Sequence, residues 1–132
     1  MWFVKYLGIP FVELGRDRSG WDCWGLVRTV YAEELGILLP EWSSHKSSFD
    51  NAEIEREIQD AHAYFSKIPQ PEPMSIAWFS SRSIYAHVGI VIDAQRMLHC
   101  TAGKDTCVES WQPRLHQLKG FYVPNDQNHR PA

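Results

Sequence analysis

The chain is poor in cysteine, with three among its 132 residues. An odd count that small excludes a disulfide framework and fits thiols kept reduced. No charged leader runs into an apolar stretch with a small-residue cleavage site, and no apolar run approaches membrane-spanning length. The expectation is a protein made and folded in the cytoplasm, without membrane insertion, that needs another carrier to act outside. Basic charge is also scarce. The formal net charge of −3 supplies no positive field, so nucleic acid is not an expected partner. No internal repeat is legible, and no second domain is expected within these residues.

What is present is globular. Hydrophobic residues make up 44% and charged residues 22%, enough to build one proper core. One domain is expected over residues 1–124, followed by a polar, loose tail over 125–132. Six Trp and five Tyr suit either the core or aromatic walls of a cleft.

The opening Met1–Gly20 reads as a short helix or extended arm and then a loop, punctuated by Gly8, Pro10, Gly15 and Gly20. A helix follows, with apolar residues at Leu26, Val27, Val30, Tyr31 and Leu35 and a stop at Gly36. The Ser-rich stretch Ser43–Ser48 reads as a long surface loop. Asn51 caps a second expected helix through Lys67, with Ile54, Ile58, Ala61 and Phe65 on its apolar face. Pro69, Pro71 and Pro73 end it. Strands are then expected over Ser75–Ser80, Tyr85–Ile92, Arg96–Thr101 and Lys119–Val123, with Thr106–Ser110 as a further candidate. Helices followed by an antiparallel meander predict an α+β fold, with N-terminal helices packed on one sheet.

The run Gly20-Trp21-Asp22-Cys23-Trp24-Gly25-Leu26-Val27 carries the first chemical signal. Asp22 is suited to cap the helix, which makes Cys23 its first residue. The positive end of the helix dipole favours thiolate there, and the thiolate is the nucleophile. A lone cysteine is ordinarily buried and inert, so the reading depends on a base. The strands offer one. His87 and His99 lie on either side of Asp93, and a hairpin centred near Asp93-Ala94 brings them opposite or nearly opposite on one face. His87 can then act as base and His99 as its orienter, with the start of the Cys23 helix against that face. Gly89, on the same face, leaves room for a helix or substrate.

These blocks, in this order, resemble the NlpC family of papain-like cell-wall peptidases. The family pattern is a G-x-D-C-x-G-L-V block, an H-V-G-I strand and a polar residue on the next strand. Here they correspond to Gly20–Val27, His87–Ile90 and His99. Trp24 and the segment Gly36-Ile37-Leu38-Leu39-Pro40 look most like the branch associated with phage tails. The resemblance implies a papain-like fold and cleavage of peptidoglycan stem peptides by acyl transfer. Cys23 attacks, His87 shuttles the proton from a resting ion pair, and amides at the helix start meet the oxyanion. No metal or other cofactor is implied. Asp22, Trp24 and Phe11 are weaker candidates for the oxyanion or substrate site. Other phage-tail proteins are implied partners, and a tail-bound location goes with them. Three positions depart from the pattern. Phe11 stands where the family often has tyrosine, Leu14-Gly15 replaces a glycine doublet, and Met74-Ser75 replaces Gly-Asp. Two rivals share the scaffold: a tail-tip assembly protein that mainly binds, and an amidase or acyltransferase with another acceptor.

Bland roles account for most remaining candidates. Cys100 alternates away from His99 and reads as core, and Cys107 reads as structural. The set His87, His99, Cys100 and Cys107 matches no closed zinc spacing. His45, His62, His116 and His129 read as loop or solvated residues, and Trp42, Trp78 and Trp111 as core or rim.

Overall fold

The structure, a computed structural model, describes residues 1–41, 59–61, 63–80 and 87–125. A 3₁₀ turn, Trp2–Tyr6, opens the chain. The segment read as a loop then folds into a small ribbon of β1 (Arg16–Asp17) and β2 (Gly20–Trp21). The Asp17 carboxylate closes it by accepting the Ser19 amide at 2.9 Å, a turn that Asp forms readily.

Helix α1 (Cys23–Val30) begins where the cap requires. Asp22 is extended, and its carboxylate accepts the Gly25 amide at 2.8 Å. The helix widens into a π-helical turn over Tyr31–Leu35 and stops at Gly36, whose φ of 66° is left-handed. The Tyr31 hydroxyl donates to the Met74 carbonyl at 2.6 Å and ties this end to the sheet.

The second expected helix is corrected at its end. Residues 51–58 and 62 lie outside the described part, and residues 59–61 and 63–64 are helical. At Phe65, however, the chain becomes β3 (Phe65–Ile68). The helical spacing runs on through Phe65, but pairing with a distant strand overrides it. The Ser43–Ser48 loop, Trp42, His45, His62 and His129 also lie outside the described residues.

β4 (Ile76–Phe79), β5 (His87–Val91), β6 (Arg96–His99) and β7 (Cys107–Ser110) form the expected antiparallel run. β8 (Leu118–Pro124) then inserts between β3 and β4, giving the order β3-β8-β4-β5-β6-β7. The sheet is therefore more than a meander. Asn125, the first residue of the expected tail, donates to the carbonyls of Tyr64 and Ala63 at 2.9 and 3.0 Å.

Alternation along the strands makes two cores. One face sets Ile76, Ile90, Leu98 and Cys100 against Leu26, Val27, Val30 and Tyr31 of the helix. Ala77, Phe79, Val91, Met97 and Trp111 pack on the other. Each large apolar side chain so buried contributes about 1.5–3 kcal/mol. Among the described residues no helix is long and apolar enough to cross a membrane.

Candidate active site

Cys23 is the first residue of α1 and is half-buried. The Val88 amide lies near this sulfur and favours its ionised form. Strand geometry explains why that amide is free. The residues of β5 that share parity with Val91 bond to β4, as the Val91 amide does to Ser75. Val88 therefore faces β6, but that ladder stops at Ile90↔Leu98. Beyond it the chain turns inward at Cys100, whose thiol points to the Trp21 and Lys104 carbonyls. Burial, reinforced by the Asp22 carboxylate, pushes the Cys23 thiol up to about 12, against the pull of the Val88 amide and Arg16. Desolvation thus opposes the thiolate that the helix start favours.

His87 and His99 meet as the spacing predicts. The β5–β6 hairpin centres on Ala94, with the Asp93 carboxylate accepting the Gln95 and Arg96 amides at 3.0 and 2.9 Å. Extending its register sets His99 opposite Gly89 and diagonal to His87. His87 Nε2 and His99 Nδ1 are 2.9 Å apart, in rings inclined at 66°. Gly89 permits this. A Cβ there would fall 2.8 Å from Met97 Sδ and 3.2 Å from His99 Cβ. The space is thus taken by the facing strand, in place of the helix or substrate expected there.

A second correction concerns faces. His87 and His99 share the parity of Val91 and Met97, and the His87 ring lies 5.9 Å from that of Phe79. Their side chains belong to the face opposite the α1 core. Cys23 comes near the strand at the backbone of Val88, the residue after His87. Burial, with the charges of His99 and Arg114, also holds His87 down to about 3. Taken singly, both groups are shifted in the direction that opposes a resting ion pair.

Glu109 was not singled out in the sequence. On β7 it pairs with Met97, while Cys107 pairs with His99, so Glu109 is diagonal to His99. Its Oε1 lies 2.8 Å from His99 Nε2, 3.1 Å from Lys104 Nζ and 3.4 Å from Cys107 Sγ. Hydrogen bonding from His99 and Lys104 holds this carboxyl at about 2. Burial still keeps His99 below its usual value, although Glu109 opposes the shift. His99, Cys107 and Glu109 are also the described side chains that could approach a metal, their donor atoms lying within 4.8 Å of one another. Lys104 occupies the same carboxylate, so a cation would have to displace it. His87 and Cys100 of the set weighed from the sequence are not in this group.

The sequence profile of the NlpC/P60 family matches residues 8–119. The chain belongs to the NlpC/P60 family. The NlpC/p60 domain of the peptidoglycan hydrolase SagA superposes with a TM-score of 0.64 at 24% identity, covering 92% of both chains. An NLP/P60 family protein from Staphylococcus aureus, described as similar to a lipoprotein, gives 0.65 at 25% identity over 92% of this chain and 38% of that one. Gamma-DL-glutamyl hydrolase of Bacillus subtilis is 27% identical over 127 residues, or 89% of this chain and 27% of that protein. Protein P54 of Enterococcus faecium is 41% identical over 44 residues, 33% of this chain and 8% of that protein. The chain thus spans about a quarter of the Bacillus relative.

Within this NlpC/P60 domain the departures from the family pattern have structural counterparts. Leu14 and Met74, which stand where glycine was expected, are its two described non-glycine residues with positive φ, at 60° and 72°. The backbone has kept a glycine conformation under larger side chains. Phe11 bridges to Trp21 and packs against the core beside the helix start. Trp24 directs its indole N–H to the Pro40 carbonyl at 2.8 Å and its ring edge-on to Phe65. The Asp22 carboxylate is shared among Gly25, the Leu14 amide at 3.2 Å and Arg16 at 2.7 Å. His116 is exposed in a 3₁₀ turn, Trp78 lies edge-on to Tyr122, and Trp111 is core.

Proposed function

We propose that this chain is a cysteine endopeptidase that hydrolyses amide bonds in peptidoglycan stem peptides. The observation that carries the reading is the buried His87–His99 pair, joined at 2.9 Å, with Val88, next to His87 in the chain, placing its amide near the Cys23 sulfur. With Nε2 of His87 engaged by His99, Nδ1 is the atom left for the thiol. As the sulfur attacks the amide carbon, the Cys23 proton passes to Nδ1. The imidazolium then protonates the leaving amine, and a thioester remains. Water, losing its proton to His87, hydrolyses the thioester and frees the thiol. The amide of Cys23, at the start of α1, faces the developing oxyanion. Starting from neutral partners, the proton moves within the site and no charge has to enter it from water.

A γ-glutamyl amide is the bond that the resemblance favours, and the printed name of the Bacillus relative supports it. We also place the protein in phage tails, on the pattern of Trp24 and Gly36–Pro40 alone. Incubation with defined muropeptides tests the activity. The intact protein should release cleaved peptide, and Cys23→Ala should lower the rate by at least about 10⁴-fold. Stable binding to tail proteins without cleavage would favour the assembly role, and a transferred product would favour the acyltransferase.

A further inference from the structure

We infer that Glu109 is a positioning residue of the peptidase site, setting through His99 the tautomer in which His87 presents a bare Nδ1 to Cys23. The geometry forces the assignment step by step. An ionised carboxylate only accepts. At 2.8 Å from Glu109 Oε1, His99 Nε2 must therefore carry the hydrogen. A neutral imidazole has a single N–H, so His99 Nδ1 is a bare acceptor. His87 Nε2, 2.9 Å away, must then be the donor. That fixes the proton of neutral His87 on Nε2 and leaves Nδ1 able to take one from the thiol.

The strand register supports this relay. Each link crosses to the neighbouring strand with the same two-residue offset, from Glu109 on β7 to His99 on β6 and on to His87 on β5. The positions directly opposite His99 are Gly89 and Cys107, both small enough to let the ring lean diagonally each way. Lys104 and Cys107 hydrogen-bond the same carboxylate oxygen and hold it toward the ring. Without Glu109, nothing compels the His99 proton to stay on Nε2. Moved to Nδ1, it would donate to His87, reverse that ring and leave a proton on the atom that must act as base.

The consequence for rate rests on the peptidase reading; the tautomers do not. Two measurements separate them. Nitrogen-15 NMR of the histidine rings should show protonated Nε2 on both His87 and His99 in the intact protein. Glu109→Leu should populate the protonated-Nδ1 form of His99, and Glu109→Asp should restore the original pattern in part. With muropeptide substrate, Glu109→Leu should lower kcat by at least about tenfold with KM unchanged, and Glu109→Asp should recover part of the loss. Glu109→Gln keeps the side chain's size if the Leu variant folds poorly, and should lower kcat less than Leu does. Lys104, Cys107 and Arg114 are the other titratable groups around the relay, and their contribution is read from the pH profile of each variant. Unchanged tautomers and unchanged kcat in Glu109→Leu would overturn the inference even if the intact protein cleaves. An intact protein that cleaves nothing, but whose tautomers shift on mutation, would overturn the peptidase reading and leave the relay standing.

Discussion

Leu14 and Met74 hold left-handed backbone at 60° and 72° without being glycine. Such a residue costs about 1–2 kcal/mol, because Cβ crowds the following carbonyl. Both positions serve the site. The Leu14 amide binds the Asp22 carboxylate that caps the Cys23 helix, and the Met74 amide donates to Val91 on the strand that carries His87. Leu14 is the cleaner place to test the strain, since Met74 also packs against the core. Leu14→Gly is expected to raise stability by about 0.5–1 kcal/mol, once the extra entropy of unfolded glycine is subtracted. Chemical denaturation with an unchanged m-value would measure it. A fall in the midpoint would mean that the side chain contributes more than its backbone costs.

At the scale of elements, Gly89 is the hinge between register and chemistry. Gly89→Ala would force a methyl to within 3.2 Å of His99 Cβ and 2.8 Å of the buried Met97 sulfur. The expected outcome is a loss of about 1–3 kcal/mol in stability, with weakened His87–His99 coupling and reduced cleavage. Retention of the paired ring signals by NMR at wild-type stability would contradict it. The same strands show what a sequence discloses. Asp22 and Cys23 were legible because capping is decided within one turn of chain. The His87–His99 pair was legible because a short turn at Asp93 fixes the register of both neighbours. Glu109 was not, since the longer connection from Cys100 to Thr106 leaves the β6–β7 register open. Nor was β3, whose pairing partners Phe121–Pro124 lie more than fifty residues on while its own spacing imitates a helix. The desolvation that opposes a resting ion pair is hidden from the sequence for a similar reason. Helix polarity is local and readable, whereas burial of the sulfur depends on how the whole sheet packs.

For the molecule as a whole, the buried relay predicts acid sensitivity. The folded value of His87 is lowered from 6.5 to about 3, and that of Glu109 from 4.5 to about 2. Between each pair of values the unfolded chain binds more protons than the folded one, so stability rises with pH there. The His87 contribution is complete above about 6.5 and is lost as pH falls toward 3. The Glu109 contribution is complete above about 4.5 and is lost toward 2. Thermal midpoints should therefore fall steadily from pH 7 to 3, and Glu109→Gln should flatten only the lower part of that curve. A midpoint that rises on acidification would contradict a buried, neutral His87.

β8 lies between β3 and β4, although it is the last of the described strands to be made. That arrangement gives assembly a direction in time. While residues 118–124 are still inside the ribosome, β4 has an open edge and β3 has no partner. Phe65, against whose ring Trp24 of the helix stands edge-on, is then not yet held in the sheet. Cys23, His87, His99 and Glu109 are thus all synthesised before the sheet that carries three of them can close, and it closes only when this last described strand joins it.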